Sequence, residues 1–333
     1  MVHNGAGYFG IEDMRSAMEK ILEIKELTRS FGNKVVVDHI SFDVNSGEIC
    51  GFLGPNGSGK TTTIKMIAGM LFPDSGTIKV CGYDVEKDFE AAMANVGGIV
   101  ENPDSYGDFS GRMNLELAAK VRGVSEKRID EVIRIVGLEN RINEKVKRYS
   151  LGMKQRLGIA HALLSEPRFL MFDEPTNGLD PAGIRDFRRT IKRLAHEEGI
   201  GVLVSSHMMS EMELLCDKVV IIEKGKLMGI SDIDLFKNGA AEGDVMQYKL
   251  VVSSADDARR IITEKLGDVV RDVNRKARSS KELWEVDIDV EEDDIPMLVK
   301  ALVCEDVEVW MVEPMGVSLE DAYINATGGG AIG

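Results

Sequence analysis

The chain has 333 residues, an ordinary globular composition and a formal net charge of −15 at pH 7. That length allows a sizeable core and two domains, and the negative balance argues against nucleic acid as a main partner, because phosphate backbones attract basic faces. No run approaches the roughly 18 consecutive apolar residues of a membrane span, so any membrane role must come through a partner.

Residues 1–19 read as an N-terminal extension. Ile11, Met14, Met18 and Ile21/Leu22 fall at helical spacing and would allow a short amphipathic helix. The simpler reading is a leader ahead of a natural start at Met18, and it lacks the basic and apolar regions of a signal peptide. From about residue 20 the pattern is β-rich, with strands expected in "ILEIKELTRSF" and "ISFDVNSGEICGFLG". The apolar run into Gly54 then meets "PNGSGKTTTIKMIAGML", which is strand, glycine loop and helix in order. A short apolar run in "GIVENPDSYGDF" stops at Glu101. Between Asp108 and Ser165 the pattern turns helical, and "GRMNLELAAKVRGV" and "EKRIDEVIRIVGL" carry apolar faces at a 3.6-residue period. Three further runs of strand length follow, "RFLMFDEP", "GVLVSSH" and "KVVIIEKGKLMG", separated by helical segments. That alternation implies a parallel sheet covered by helices on both faces.

A linker is expected near "NGAAEGDV", residues 238–245. Beyond it the order "QYKLVVS", "DDARRIITEKL", "DVVRDVN", "LWEVDIDV", "IPMLVKALV", "VEVWMVEP" is the split β-α-β-β-α-β arrangement of a small ferredoxin-like domain over 245–327. A last helix at "SLEDAYINAT" and a loose tail over 328–333 close the chain. Residues 243–333 hold twenty Asp/Glu against ten Lys/Arg, so this segment carries much of the acid. The four cysteines, Cys50, Cys81, Cys216 and Cys304, lack metal-ligand spacing. Cys50 and Cys81 lie in or beside apolar runs and read as small buried hydrophobes in a reducing cytoplasm.

Two motifs carry the chemistry. Gly54, Pro55, Asn56, Gly57, Ser58, Gly59, Lys60 and Thr61 fit G-x-x-x-x-G-K-[ST] in the required strand–loop–helix context. Glycines let backbone N–H groups close around phosphate oxygens, and the helix N-terminus adds partial positive charge. Lys60 would reach the β- and γ-phosphates, and the Thr61 hydroxyl, followed by Thr62, would ligate Mg²⁺. In "RFLMFDEP" a buried strand ends in two consecutive acids, which packing cannot explain because ionised carboxylates need partners. Asp173 suits an outer partner of Mg²⁺. Glu174 suits the base that orients and deprotonates an attacking water.

With "YSLGMKQRLGIAHAL", "NGLDP" and "VSSH" in order behind these, residues 20–240 resemble the ATP-binding cassette family, the motor subunits of ABC transporters. The resemblance implies an α/β fold, a P-loop NTPase of ABC type with a β-rich N-terminal subdomain and a helical subdomain at about 102–165, beside the small α+β C-terminal domain. It also implies that Phe31 stacks on adenine, although a core Phe remains an equal alternative. Ser150 and Gly152 would contact the γ-phosphate bound to a second copy, Asp180 would belong to the loop crossing that interface, and His207 would touch the γ-phosphate. Two departures stand out. The signature reads "YSLGM" with Leu151 and Met153, and the loop that usually presents Gln offers Glu101 as a ligand to Mg²⁺ and the attacking water. Both changes resemble the ATP-binding subunits of bacitracin- and lantibiotic-type resistance exporters. The implied cofactors are ATP and Mg²⁺. The implied partners are a second identical subunit and a separately encoded multi-span membrane subunit, with the protein peripheral on the cytoplasmic face. The rival is a soluble ABC ATPase without a membrane partner. Against it, the chain has neither the second cassette nor the long coiled-coil insertion of the translation and repair types. A protein that holds ATP without hydrolysing it is disfavoured by the intact Lys60/Asp173/Glu174 set.

Overall fold

The structure, a computed structural model, describes residues 19–100, 105–233, 246–278 and 281–315. The N-terminal extension up to Met18, Glu101, the 238–245 linker, and the expected last helix and tail lie outside the described residues. The chain divides into two compact units at Ser231/Asp232.

The first unit begins with a long antiparallel hairpin, β1 (Lys20–Phe31) and β2 (Lys34–Asn45), paired from Phe31↔Lys34 to Lys20↔Asn45 with register shifts between. The sequence pattern places the second strand from Ile40. It starts six residues earlier because the Gly32–Asn33 turn reverses the chain at once and lets Val37 reach the core. Strands β3 (Ile49–Leu53), β4 (Ser75–Val80) and β5 (Tyr83–Asp84) follow, and β4 and β5 extend the hairpin into a four-stranded sheet of order β2-β1-β4-β5. The second sheet is built on β3, with β6 (Val96–Ile99), β7 (Phe169–Asp173), β8 (Gly201–Ser206), β9 (Lys218–Glu223) and β10 (Lys226–Asp232) in the order β10-β9-β3-β8-β7-β6. Pairing is parallel from β9 through β3, β8 and β7 to β6. Every residue of β3, β7 and β8 is buried, which is why these strands read as unbroken apolar runs rather than as alternation.

Helix α1 (Lys60–Ile67) follows β3 and buries Ile64, Met66 and Ile67 in one core with Leu22, Ile24, Phe42, Phe52 and Phe169. The Phe42 and Phe52 rings stack at 5.2 Å in this core, where a fully buried side chain of that size contributes about 1.5–3 kcal/mol. Helix α2 (Phe89–Met93) precedes β6. Three helices form the helical part: α3 (Gly111–Arg122), α4 (Glu126–Ile135) and α5 (Leu151–Leu163). Each starts on a serine, Ser110, Ser125 or Ser150, whose hydroxyl accepts a backbone N–H of the first turn. Helix α6 (Pro181–His196) and the short α7 (Met209–Leu215) complete the unit.

The second unit consists of β11 (Met246–Val252), α8 (Ala255–Leu266), β12 (Val270–Arg278), β13 (Lys281–Val290), α9 (Ile295–Cys304) and β14 (Val309–Met315). Its sheet has the order β12-β13-β11-β14 with every pair antiparallel, which is the split βαβ topology. Ala258, Ile261, Ile262, Leu298 and Leu302 from the helices close over Tyr248, Leu250, Val286 and Ile288. Among the described residues, no helix is long and apolar enough to cross a membrane.

Candidate functional site

Parallel registers bring the carboxyl ends of three strands side by side. Leu53 of β3 pairs with Ser206 of β8, and Asp173 of β7 pairs with Ser205 of the same strand. Strand β8 therefore lies between the glycine loop and the acid pair, at the sheet edge where open α/β folds bind ligands.

The loop from Gly54 to Gly59 turns tightly. A side chain at Gly54 would place its Cβ 2.3 Å from the Ile222 carbonyl oxygen. Gly59 sits at φ +110, and a Cβ there would lie 2.7 Å from the Val36 carbonyl oxygen. Neither position accepts another residue, and together they let backbone N–H groups and the start of α1 face outward around an anion. Ser58 is 2% exposed, and its hydroxyl has no hydrogen-bond partner among the described residues. A buried orphan hydroxyl in such a loop fits an oxygen-rich ligand.

Lys60 is 5% exposed. Its ammonium donates to the carbonyls of Gly54 at 2.7 Å and Pro55 at 3.2 Å, and lies 3.3 Å from Glu174 Oε1. The other Glu174 oxygen is 3.0 Å from His207 Nδ1. A carboxylate can only accept, so the proton of this contact belongs to Nδ1. Glu174 occupies the left-handed region at φ +48, a strained position for a residue with a side chain. Its backbone N–H donates to Ser205 Oγ at 2.9 Å, and that hydroxyl donates to Asp173 Oδ1 at 2.6 Å. Ser205 is fully buried and ties the two acids to the neighbouring strand. It is absent from the residues singled out by motif, although it stands within "VSSH".

The expected site residues fall in two places. Gly54–Thr62, Asp173, Glu174 and His207 converge at the sheet edge. Ser150, Gly152 and Asp180 instead line a separate pocket of about 250 Å³ between α5 and α6. There Ser150 Oγ accepts the Met153 N–H at 3.3 Å, and Asp180 Oδ1 accepts the Gly183 N–H at 2.9 Å, so both cap helices. Among the described residues, nothing beyond its chain neighbours and its own helix backbone lies within 4 Å of where a Gly152 Cβ would stand, which leaves the backbone there open to approach. Phe31 is half exposed at the end of β1, with the Arg29 guanidinium 5.0 Å from its ring centre, so it is a surface aromatic and not a core Phe.

A strand, glycine loop and helix with a lysine reaching back to a strand-end acid pair define a P-loop nucleoside-triphosphate site. Comparison with known proteins narrows the class. Residues 37–177 match the profile described as ABC transporter. The chain is 40% identical over 312 residues to the uncharacterized ABC transporter ATP-binding protein YhcH of Bacillus subtilis, covering 93% of this chain and 97% of that one. It is 48% identical over 212 residues to the bacitracin transport ATP-binding protein BcrA of Bacillus licheniformis, covering 63% and 69% of the two chains. A solved structure described as the ATP binding subunit of an ABC transporter superposes with a TM-score of 0.59 at 32% identity, over 66% of this chain and 92% of that one. The chain belongs to the ABC transporter family, as one of its ATP-binding, ATP-hydrolysing proteins.

Proposed function

We propose that two copies of this chain sandwich two ATP molecules head to tail and drive a separately encoded membrane exporter from its cytoplasmic face. Each ATP would be held between Gly54–Thr62 of one copy and Ser150/Gly152 of the other, with Asp180 in the loop at the interface. The observation that carries the reading is the chain of contacts from Lys60 through Glu174 to His207. Triphosphate oxygens would replace the Gly54 and Pro55 carbonyls and the Glu174 carboxylate around the lysine. Glu174, released from Lys60 and held in place by Ser205, would then take the proton of the attacking water, with His207 beside the terminal phosphate. Phe31, exposed at the strand end, suits stacking on the adenine.

Mg²⁺, when bound, neutralises charge growing on the β- and γ-phosphate oxygens. The Thr61 hydroxyl and the Asp173 carboxylate would hold it. Both are hard oxygen donors, the kind Mg²⁺ takes alongside substrate phosphates, and Ser205 fixes the orientation of the Asp173 carboxylate. Glu101 joins this set on the strength of its place in the sequence.

For the membrane subunit, the supporting feature is an exposed apolar stripe. Met113, Leu117 and Val121 recur every four residues along α3, and the Tyr106 and Phe109 rings lie 5.6 Å apart just ahead of it. The likeness to the bacitracin transport protein supports a peptide antibiotic as cargo, and with it a role in antibiotic resistance. The acidic second unit would serve as an accessory domain of this motor.

Glu174→Gln tests the assignment. Turnover should fall at least about 100-fold, while ATP binding persists and an ATP-locked dimer accumulates in size-exclusion chromatography. Undiminished hydrolysis would remove Glu174 from the role of base.

A further inference from the structure

Away from the nucleotide site, a groove of about 820 Å³ lies between the end of α4 and the body of α6. Five of its lining cations, Arg185, Arg188, Arg189, Lys192 and Arg193, come from α6 alone. They recur at three- and four-residue intervals, so they form a stripe along the helix. Arg134, Ile135 and Val136 at the end of α4 line it as well.

Part of this charge is neutralised within the molecule. Asp186 pairs with Arg156 and Arg189, and Glu211 pairs with Arg188. Arg134 and Arg193 spend donors on backbone carbonyls, Asp130 at 3.2 Å and Ile135 at 2.8 Å. Those bonds orient the guanidinium groups and leave their charge uncompensated. Among the described residues, Arg134, Arg185, Lys192 and Arg193 make no ion pair. The helix macrodipole favours cations in the last turn of α6, which accounts for Arg193 but not for Arg185 near its start. In a chain of net charge −15, four cations without an ion pair among the described residues, against Glu197 as an acid of the same lining without one, are not a product of composition.

The shape selects among anions. The phosphate loop of this protein is built from backbone N–H groups at a helix N-terminus, whereas side-chain cations dominate the lining of the groove, which also includes Gly137. The groove offers guanidinium groups together with the apolar Ile135 and Val136, which matches carboxylates carried on a chain with an apolar side chain between them. From Arg185 to Arg193 the stripe covers about 12 Å, the length of roughly four extended residues. The groove adjoins the pocket of Ser150, Gly152 and Asp180 and shares Val136, Arg156, Asp186 and Thr190 with it, whereas Arg185, Lys192 and Arg193 line the groove and not that pocket.

We propose that this groove docks an acidic segment of a partner polypeptide. Carboxylates of that segment meet Arg185, Lys192 and Arg193, and an apolar side chain sits on Ile135 and Val136. The probe is a fluorescein-labelled peptide of about eight residues that alternates paired Glu with Leu, set against a counterpart with Gln in place of Glu. Both are followed by fluorescence anisotropy on the full chain at low salt, where exposed charge pairs are least screened. The wild-type protein should bind the Glu peptide and not the Gln peptide. Arg185→Ala/Lys192→Ala should weaken binding about tenfold, since each exposed pair accounts for up to about fivefold. These two side chains make no hydrogen bond or ion pair among the described residues, and ATP turnover in the double variant should stay at the wild-type rate, which reports its fold. Absence of binding to the wild-type chain, equal binding of the Gln peptide, or equal binding by the double variant would each overturn the proposal. So would binding of inorganic tripolyphosphate, but not of the peptide, that depends on Arg185 and Lys192, because the groove would then belong to a phosphate oligoanion.

Discussion

Replacing Ser205 by Ala tests whether the acid pair is held in place by the neighbouring strand. Its hydroxyl is fully buried and makes two bonds, donating to Asp173 Oδ1 at 2.6 Å and accepting the Glu174 N–H at 2.9 Å. A hydrogen bond to an ionised acceptor contributes about 1.5–3 kcal/mol, and a buried N–H left without an acceptor costs about 1–3 kcal/mol. The two effects overlap at one atom, so the expected loss is about 3 kcal/mol. For a unit of this size that lowers Tm by about 6–12 °C, read by calorimetry or dye fluorescence. Activity should respond in a distinctive way. Glu174 is in the left-handed region at φ +48, and the Ser205 contact is what anchors its N–H. Loosening that anchor should lower kcat about 10- to 100-fold with little change in KM for ATP, because the phosphate loop is untouched. Ser206→Ala is the control. It removes only the acceptor for the Met208 N–H, should cost about 1 kcal/mol, and should leave kcat within about threefold of wild type. A Ser205→Ala protein with Tm within about 2 °C of wild type and unchanged kcat would refute the reasoning.

Two further outcomes follow from buried charge. His161 in α5 has an Nε2 with no hydrogen-bond partner among the described residues, and burial, with the Arg122 charge, holds its pKa down to about 4. Above pH 6.5 the folded and unfolded chains both carry it neutral. Below that the unfolded chain takes a proton the folded one refuses, so stability falls with pH, by about 2 kcal/mol at pH 5. His161→Leu should remove that component, and thermal unfolding that varies identically with pH in both proteins would contradict it. At the opposite end of the central sheet, Lys218 is 8% exposed and lies 2.9 Å from Glu48, itself 4% exposed, and 3.6 Å from Asp43. Burial alone would lower the lysine pKa, but the Glu48 and Asp43 carboxylates more than offset it and hold the ammonium charged. Lys218→Met should cost about 3–5 kcal/mol by stranding Glu48, and Lys218→Met/Glu48→Gln should cost less. A single variant losing under about 1 kcal/mol in denaturant unfolding would show that Glu48 finds another partner.

Some residues announce themselves locally. Gly57 and Gly59 are needed at their own backbone angles, and the two acids after "RFLMF" break an apolar run, so both features are visible in a short window of sequence. The unbroken burial of β3, β7 and β8 appears as runs of apolar residues for the same reason. Cys50 is fully buried, as its apolar setting implies, whereas Cys81 is only half-buried at a turn. Other features have no local signal. The stretch 75–99 lacks clear periodicity, yet it forms β4, β5, α2 and β6, because edge strands and a short helix are set by what they pair with. Ser205 looks like any strand serine until β8 is known to lie between β3 and β7. Phe31 could have been core or surface, and only the end of the hairpin places it outside.

The sequence by itself determined the chemistry available: a phosphate loop, an acid pair, a histidine at a strand end, and a second acidic unit with split βαβ order. Each of these depends on a side chain or backbone preference that acts within a few residues. Tertiary structure alone decided the company those groups keep. Strand order set Lys60, Glu174 and His207 against one another and put Ser205 beneath the acids. It carried Ser150, Gly152 and Asp180 to a different pocket, and it turned one face of α6 toward Arg134 to make a cationic groove. Such pairings join residues far apart in the chain, and they are fixed by sheet register and helix packing, which no local stretch of sequence encodes.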